Sequence, residues 1–382
     1  MYINRKIKQK ILNRLGKGKA VLLFGPRQSG KTTLVKKLLA EYDPDALFLN
    51  ADDYDIRERL SETTATALKR LFGKHKTVFI DEAQRIFNIG ITLKLCTDQI
   101  PDVQIIASGS SAFELQNKTG ESLTGRKYEF TLLPFSFEEL VEQNSLINEM
   151  RLLEHRMIFG MYPEIVTSLG DEEELLRLFA SSYLYKDILA AGAIKKPIVL
   201  EKLLRVLALQ IGSQVSYHEL ANLVGVSSST IESYIDLLEK LFVVFRLPAF
   251  VRNVRNEIKK GKKIYFYDNG IRNAIIGNFN HVTSRNDIGA LFENYLMSER
   301  QKYLLNHFVF AKTFFWRTTQ KQEIDYIEEN NERLYAYEFK WNPLKKARLS
   351  KTFSTAYPNH EFRVVNRKNY DNFLIKLQST PK

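Results

Sequence analysis

The sequence is almost without cysteine. Cys96 is the only one among 382 residues, which excludes an intramolecular disulfide and a thiolate metal cluster. It follows an apolar segment, residues 91–95, that reads as helix core, so it is expected to be a buried filler. Long apolar runs are missing as well. No stretch is long enough to cross a bilayer, and the basic first ten residues are followed by no apolar signal segment. The expectation is a cytoplasmic protein without membrane contact. Extended disorder is also excluded: 44% of the residues are hydrophobic, and the length allows two or three domains, each with its own core. The first part of the chain lacks net charge. From Leu241 onward 25 Lys and Arg stand against 13 Asp and Glu, and subtraction from the totals of 56 and 44 leaves 31 against 31 before that point. The whole excess of +12 is therefore C-terminal. Clusters such as Lys259-Lys260-Gly261-Lys262-Lys263 and Lys345-Lys346-Ala347-Arg348 favour a polyanion, a nucleic acid, as partner of that part. A solvated basic face would have the same composition.

Glycine is sparse but well placed. Gly25, Pro26, Arg27, Gln28, Ser29, Gly30, Lys31 and Thr32 follow a strand-like segment at residues 20–24, and Thr33 opens a helical pattern that runs to residue 41. A glycine loop between a strand and a helix N-terminus is an anion site. Its N–H groups would surround the β- and γ-phosphates of a nucleoside triphosphate, Lys31 would add charge at the γ-phosphate, and the Thr32 hydroxyl would hold Mg²⁺. Further strand-like segments follow at 47–50, 77–80, 104–107 and 127–132, with helical patterns between the first four. That alternation predicts a mostly parallel sheet covered on both faces, the three-layer α/β sandwich of a P-loop NTPase.

The third segment delivers Asp81 and Glu82 to the sheet's carboxyl edge beside the loop. Asp81 is expected in the Mg²⁺ shell, and Glu82 is expected to orient or polarise the attacking water. The fourth ends in Ser108-Gly109-Ser110-Ser111. Ser108 is a candidate γ-phosphate sensor, or a cap for a following helix at Phe113. Arg126 opens the fifth strand, where it would be either an arginine finger, in cis or across a subunit contact in an oligomer, or a surface residue.

The middle of the chain reads as a helical connector, residues 146–195, and then a winged helix, 196–270. Residues 216–223, a turn at Gly225 and residues 227–241 have the pattern of helix-turn-helix, with Ser227 capping the second helix. Residues 242–247 and 262–267 would be wing strands. The second helix presents Ser228, Ser229, Thr230, Glu232 and Asp236, and its first base is Lys240. Phosphate contacts would therefore come from the wing, through Arg252, Arg255, Lys259, Lys260, Lys262 and Lys263. Packing against another domain is the competing role.

After Asp287 a second constellation appears. Glu293 lies on an amphipathic helix, 291–304, Asp325 starts a strand, and Glu338 and Lys340 share one face of the next, 334–341. Two converging carboxylates, Asp325 and Glu338, can hold Mg²⁺, and Lys340 can stabilise a developing phosphorane charge. The layout resembles the restriction-endonuclease-like fold, an α+β domain over residues 285–382 with Glu293 as an additional acid. The position before Asp325 is Ile324, not proline. The alternative is a buried ion pair between Asp325 and Lys340 in a scaffold without cleavage activity.

Taken along its length, the chain resembles the bacterial and archaeal AAA-like P-loop ATPases whose C-terminal half is a domain of unknown function. The resemblance is carried by residues 25–32, 79–84, 107–111, 123–126, Leu133-Pro134-Phe135-Ser136-Phe137 and Phe159-Gly160-Met161-Tyr162-Pro163-Glu164, with Met161 where a second glycine is usual. It implies a P-loop ATPase domain over residues 1–145, ATP binding and slow hydrolysis, and it names no biological substrate. The expectation is an ATP switch coupled to a nucleic-acid-binding, Mg²⁺-dependent nuclease-like domain. The alternative is an ATP-gated regulator that binds DNA or a protein partner. A small-molecule kinase fits less well, because Glu82 beside Asp81 suits water activation.

Overall fold

The computed structural model describes residues 2–110, 123–184, 197–251, 261–318, 320 and 322–375. Ser111, Phe113, Arg252, Arg255, Lys259, Lys260 and residues 185–196 of the connector lie outside the described residues. Packing divides the chain into two units, residues 1–135 with 162–164 and 240–242, and residues 136–161, 165–239 and 243–382.

The first unit is an α/β sandwich. Strand β1 (Ala20–Phe24) is buried along its whole length, as a near-continuous apolar run requires of a central parallel strand. With β2 (Leu47–Asn50), β3 (Thr77–Asp81), β4 (Gln104–Gly109) and β5 (Lys127–Thr131) it forms a five-stranded sheet of order β2-β3-β4-β1-β5. All its pairings are parallel. Successive side chains of a strand face opposite sides, and β1 divides accordingly. Leu22 and Phe24 join one core with Val78, Ile80 and Ala107. Val21 and Leu23 join the other with Phe79 and Ile106. Helix α1 (Lys8–Leu12) and helix α2 (Lys31–Tyr42) cover the second face. Helices α3 (Tyr54–Leu60), α4 (Ala65–Phe72) and α5 (Ile89–Gln99) cover the first. Cys96 is buried in α5, and burial pushes its thiol up to about 12. It is the core filler expected from the sequence.

The second unit begins at Ser136, which closes a capping box with Glu139 on the helix Phe137–Asn144. Short helices lead to the helix Pro197–Leu209 and then to Tyr217–Val224 and Ser228–Lys240. Ser216 caps the second of these, Gly225 ends it at φ +83, and the Ser227 hydroxyl accepts from the Thr230 N–H at 3.2 Å. Strands β6 (Gln214–Val215), β7 (Val244–Pro248) and β8 (Lys262–Phe266) form an antiparallel sheet of order β6-β8-β7. The long helix Ile288–His307 precedes a four-stranded mixed sheet. Its strands are β9 (Lys312–Arg317), β10 (Glu323–Asn330), β11 (Arg333–Lys340) and β12 (His360–Asn366), in the order β12-β11-β10-β9, with only β12 parallel to its neighbour.

The segments 146–195, 196–270 and 285–382 are not separate packing units. Ala249 bridges to Phe315, and the Phe250 N–H donates to the Phe315 carbonyl at 2.6 Å, which ties the end of β7 to β9. Asn294 on the long helix accepts from the Phe266 N–H at 2.8 Å and donates to its carbonyl at 3.1 Å. Among the described residues no helix is long and apolar enough to cross a membrane.

Candidate functional site: a nucleotide loop and a buried acid cluster

The loop from Gly25 to Thr32 lies at the carboxyl end of β1, against the ends of β3 and β4. Gly25 has φ +152, and a Cβ there would lie 2.1 Å from the Leu132 carbonyl oxygen, so only glycine fits. Gly30, at φ +92, caps α2 in the left-handed region. Gln28 shares that region at φ +58, a strained conformation for a residue with a Cβ.

Lys31 is buried, and its ammonium donates to the Gly25 carbonyl at 2.9 Å and the Pro26 carbonyl at 2.8 Å. The Thr32 hydroxyl donates to Asp81 Oδ2 at 2.7 Å, and the Ser108 hydroxyl donates to Asp81 Oδ1. The Glu82 N–H in turn donates to Ser108 Oγ at 3.3 Å. Glu82 sits at φ +52, and its Oε2 accepts from Gln84 Nε2 at 2.6 Å. The same nitrogen donates to Ser110 Oγ at 2.9 Å. Thr32, Asp81, Glu82 and Ser108 are thus brought together as the sequence predicts, and the Ser108 hydroxyl serves Asp81.

These residues fit a magnesium nucleotide. The Ser29 hydroxyl is buried with no hydrogen-bond partner among the described residues, a donor that an anion in the loop would satisfy. The Thr32–Asp81 pair has the hydroxyl and carboxylate oxygens that would suit Mg²⁺ beside a phosphate loop.

For Arg126 the structure corrects the expectation of a finger in cis. Strand β5 runs parallel to β1, with Lys127 beside Ala20, so Arg126 stands at the amino edge of the sheet. The loop follows Phe24, a strand's length away, or about 17 Å at the usual rise per residue. Arg126 pairs with Asp98 at 2.6 Å, and reaching the loop of its own chain is not available to it. Sequence reasoning misses Arg5. It is buried over the Phe135 ring at 4.6 Å and donates to the Ser29 carbonyl at 3.3 Å and to the Leu133 carbonyl. Its sequence neighbours read only as a basic N-terminus, and nothing local distinguishes it from Lys6 or Lys8.

In the second unit, the register that sets Tyr326 opposite Tyr337 brings Asp325 next to Glu338 one step on. The Phe339 N–H donates to Asp325 Oδ2 at 2.8 Å, and Lys340 pairs with Glu338 at 2.6 Å. In place of the Asp325–Lys340 ion pair of the alternative reading, Lys340 pairs with Glu338, two positions away on β11. Glu293 joins the cluster through its Oε1, which accepts from the Tyr265 hydroxyl at 2.6 Å and from Lys263 Nζ at 3.3 Å.

Lys263 requires the larger correction. Its sequence context makes it a surface lysine of the wing, yet its side chain is only 3% exposed, and it pairs with Glu323 at 2.7 Å as well as with Glu293. Burial raises the carboxyl of Glu293 to about 7, against the pull of Lys263. Burial also raises Asp325 and Glu338, and the Asp325 charge adds to the rise of Glu338. Burial opposes the Lys263 charge, but Glu293, Asp325 and Glu323 together hold the proton on, above the ordinary lysine range. Among the described residues no group of three or more His, Cys, Asp or Glu is disposed to hold a metal ion. The cluster does not fit a free Mg²⁺ shell. Of the other expected bases, Lys345, Lys346 and Arg348 are exposed.

A parallel sheet, a phosphate loop and an Asp-Glu strand end define the first unit as a P-loop nucleotide domain. Residues 17–141 match the family model described as AAA domain, 150–282 match a domain of unknown function (DUF8612), and 288–378 match another (DUF4143). Residues 17–141 are thus an AAA-type P-loop domain, followed along the chain by two domains of unknown function. The chain is 27% identical over 334 residues to an uncharacterized protein of Mycobacterium tuberculosis, covering 85% of this chain and 71% of the relative. Over 68 residues it is 41% identical to the replication factor C large subunit of Methanococcus vannielii, covering 17% of this chain and 14% of that protein. The Aeropyrum pernix ORC1 protein, solved in complex with DNA, is similar over 73% of this chain and 93% of its own, with 13% identity and a TM-score of 0.37.

Proposed function

We propose that the protein is an ATP-driven switch. The first unit binds ATP with Mg²⁺ and hydrolyses it slowly, and the second binds nucleic acid. The observation that supports this best is the chain of contacts Thr32–Asp81–Ser108 beside Glu82 at the mouth of the loop. In this reading Lys31 leaves the loop carbonyls for the γ-phosphate, and the loop N–H groups and Ser29 take the β- and γ-oxygens. Thr32 and Asp81 would hold Mg²⁺, and the ion would supply positive charge at the phosphates. Ser108 reports the state of Asp81 to the backbone of Glu82, and Glu82, released from Gln84, orients water.

Lys31→Ala is expected to abolish measurable ATP binding, a loss of about a hundredfold or more. Glu82→Gln is expected to retain binding and lose hydrolysis by at least about a hundredfold. Filter binding and phosphate release on the two variants test the assignment. Hydrolysis by Glu82→Gln at the wild-type rate would refute it.

For the second unit we read the helix pair Tyr217–Val224 and Ser228–Lys240 with the sheet β6-β8-β7 as a winged helix. Asp236 on its second helix already pairs with Arg246 at 2.6 Å, which argues for contact through the backbone of a nucleic acid and against base readout by that helix. Metal-dependent cleavage by Asp325, Glu338 and Lys340 is the rival. It requires a divalent ion beside Asp325 and Glu338, in a cluster whose other acids, Glu293 and Glu323, already hold Lys263. A trans role for Arg126 needs a second copy of the chain and the loss of its bond to Asp98.

A further inference from the structure

We infer that Lys263 is the built-in cation of the acid cluster: its ammonium stands where a divalent metal would have to stand, and the second unit therefore works free of metal at this place. The cluster draws on separate elements. Glu293 comes from the long helix, Glu323 and Asp325 from β10, and Glu338 from β11. Each of the four carboxylates has a donor within the protein. Glu293 has Tyr265 and Lys263, Glu323 has Lys263, Asp325 has the Phe339 N–H, and Glu338 has Lys340.

The spacing is that of hydrogen bonds, 2.7 Å to Glu323 and 3.3 Å to Glu293. A Mg²⁺ ion draws oxygens to about 2.0–2.1 Å and tolerates little departure from an octahedron. Lys263 is also held from behind. Its backbone lies in the middle strand of the antiparallel sheet, facing Gln214 on one side and Leu247 on the other, and its ammonium sits 5.6 Å from the centre of the Phe315 ring. A metal entering among these carboxylates has to displace an ammonium that the sheet keeps in place. Lys340 differs, because it is paired with a neighbour on its own strand and is half-buried.

The test is Mn²⁺ binding to the full chain, without nucleotide, by electron paramagnetic resonance and calorimetry. Asp81→Asn is present throughout, so that the first unit contributes no signal and the result does not depend on the ATP reading. The Asp81→Asn chain is expected to bind no stoichiometric Mn²⁺. Adding Lys263→Met, which keeps the length of the side chain and removes its charge, is expected to create a Mn²⁺ site at least about tenfold tighter and an unfolding temperature that rises with Mn²⁺. Lys263→Arg, which keeps the cation, is expected to stay folded and blind to Mn²⁺. The inference is overturned if the Asp81→Asn chain already binds Mn²⁺ and loses it in Asp325→Asn, if Lys263→Arg binds it, or if Lys263→Met folds and still ignores it. Should Lys263→Met not fold, the other two chains decide the question alone.

Discussion

Lys31 and Arg5 hold one short loop through different carbonyls. Lys31 sits inside it, on the carbonyls of Gly25 and Pro26, and can trade those contacts for phosphate. Arg5 is on the carbonyls of Ser29 and Leu133, which joins the loop to the segment after β5. A guanidinium fork that fixes two backbone segments is preorganisation, which lowers the ordering cost of binding a phosphate. Arg5→Met keeps the packing against Phe135 and removes the hydrogen bonds. It is expected to cost the first unit about 2 kcal/mol, the range of a charged hydrogen bond, and to weaken ATP more than it slows hydrolysis at saturation. Thermal unfolding and a titration of the hydrolysis rate against ATP separate the two. An unchanged KM would remove Arg5 from the loop's support.

At the level of the element, the long helix Ile288–His307 carries charge into the interior. Arg300 pairs with Glu328, Lys302 with Glu299, and Glu293 with Lys263, all buried or nearly so. An amphipathic reading of 291–304 does not foresee this, because a helix covered on both sides has no polar face to water. Glu293 gives the arrangement a measurable sign. Burial raises its carboxyl from an ordinary 4.5 to about 7 in the folded chain. The raised value means the folded state binds the proton more tightly, so the stabilisation is complete below 4.5 and is lost as the pH rises through about 7. Relative to Glu293→Gln, the wild-type chain is expected to lose stability across that interval. Denaturation of both at pH 5, 6 and 7 measures it, and parallel curves would contradict the burial argument. Strand β8 shows the same point more sharply. Lys262 lies 5.3 Å from the centre of the Tyr217 ring while Lys263 turns inward, so one run of lysines serves two environments.

Over the whole molecule, part of the charge imbalance is hidden from solvent. Of the C-terminal bases, Lys263, Arg272, Arg285, Arg300 and Lys302 are buried and unavailable to a polyanion. The segment from Leu241 onward is also no packing unit of its own, since the second unit starts at Ser136, and nucleic-acid binding is best measured on the full chain. Lys345, Lys346 and Arg348 remain exposed. Their joint replacement by alanine is expected to weaken binding to duplex DNA of any sequence. It should also flatten the salt dependence of log K by about 0.9 for each phosphate that is no longer neutralised. Unchanged salt slopes for wild type and variant would exclude this stretch from the interface with DNA.

The sequence by itself determined those parts whose chemistry is local. The phosphate loop is legible because strand, glycines, lysine and helix are contiguous, and Gly25 and Gly30 meet steric demands set within a few residues or by the adjacent strand. Asp81 and Glu82 are legible because a buried strand must end at the sheet's edge. Ser216, Gly225 and Ser227 mark the helix pair by capping rules that act over one turn. Only the tertiary structure decided what depends on partners far along the chain. Which edge of the sheet Arg126 occupies follows from β5 running parallel to β1. That Arg5 lies under the loop follows from how the N-terminal segment packs. Whether Lys263 faces water or acid depends on Glu293 and Glu323, 30 and 60 positions further on. A run of lysines looks the same in either case, because its charge is a property of the residues, whereas its burial is a property of what the fold brings against them.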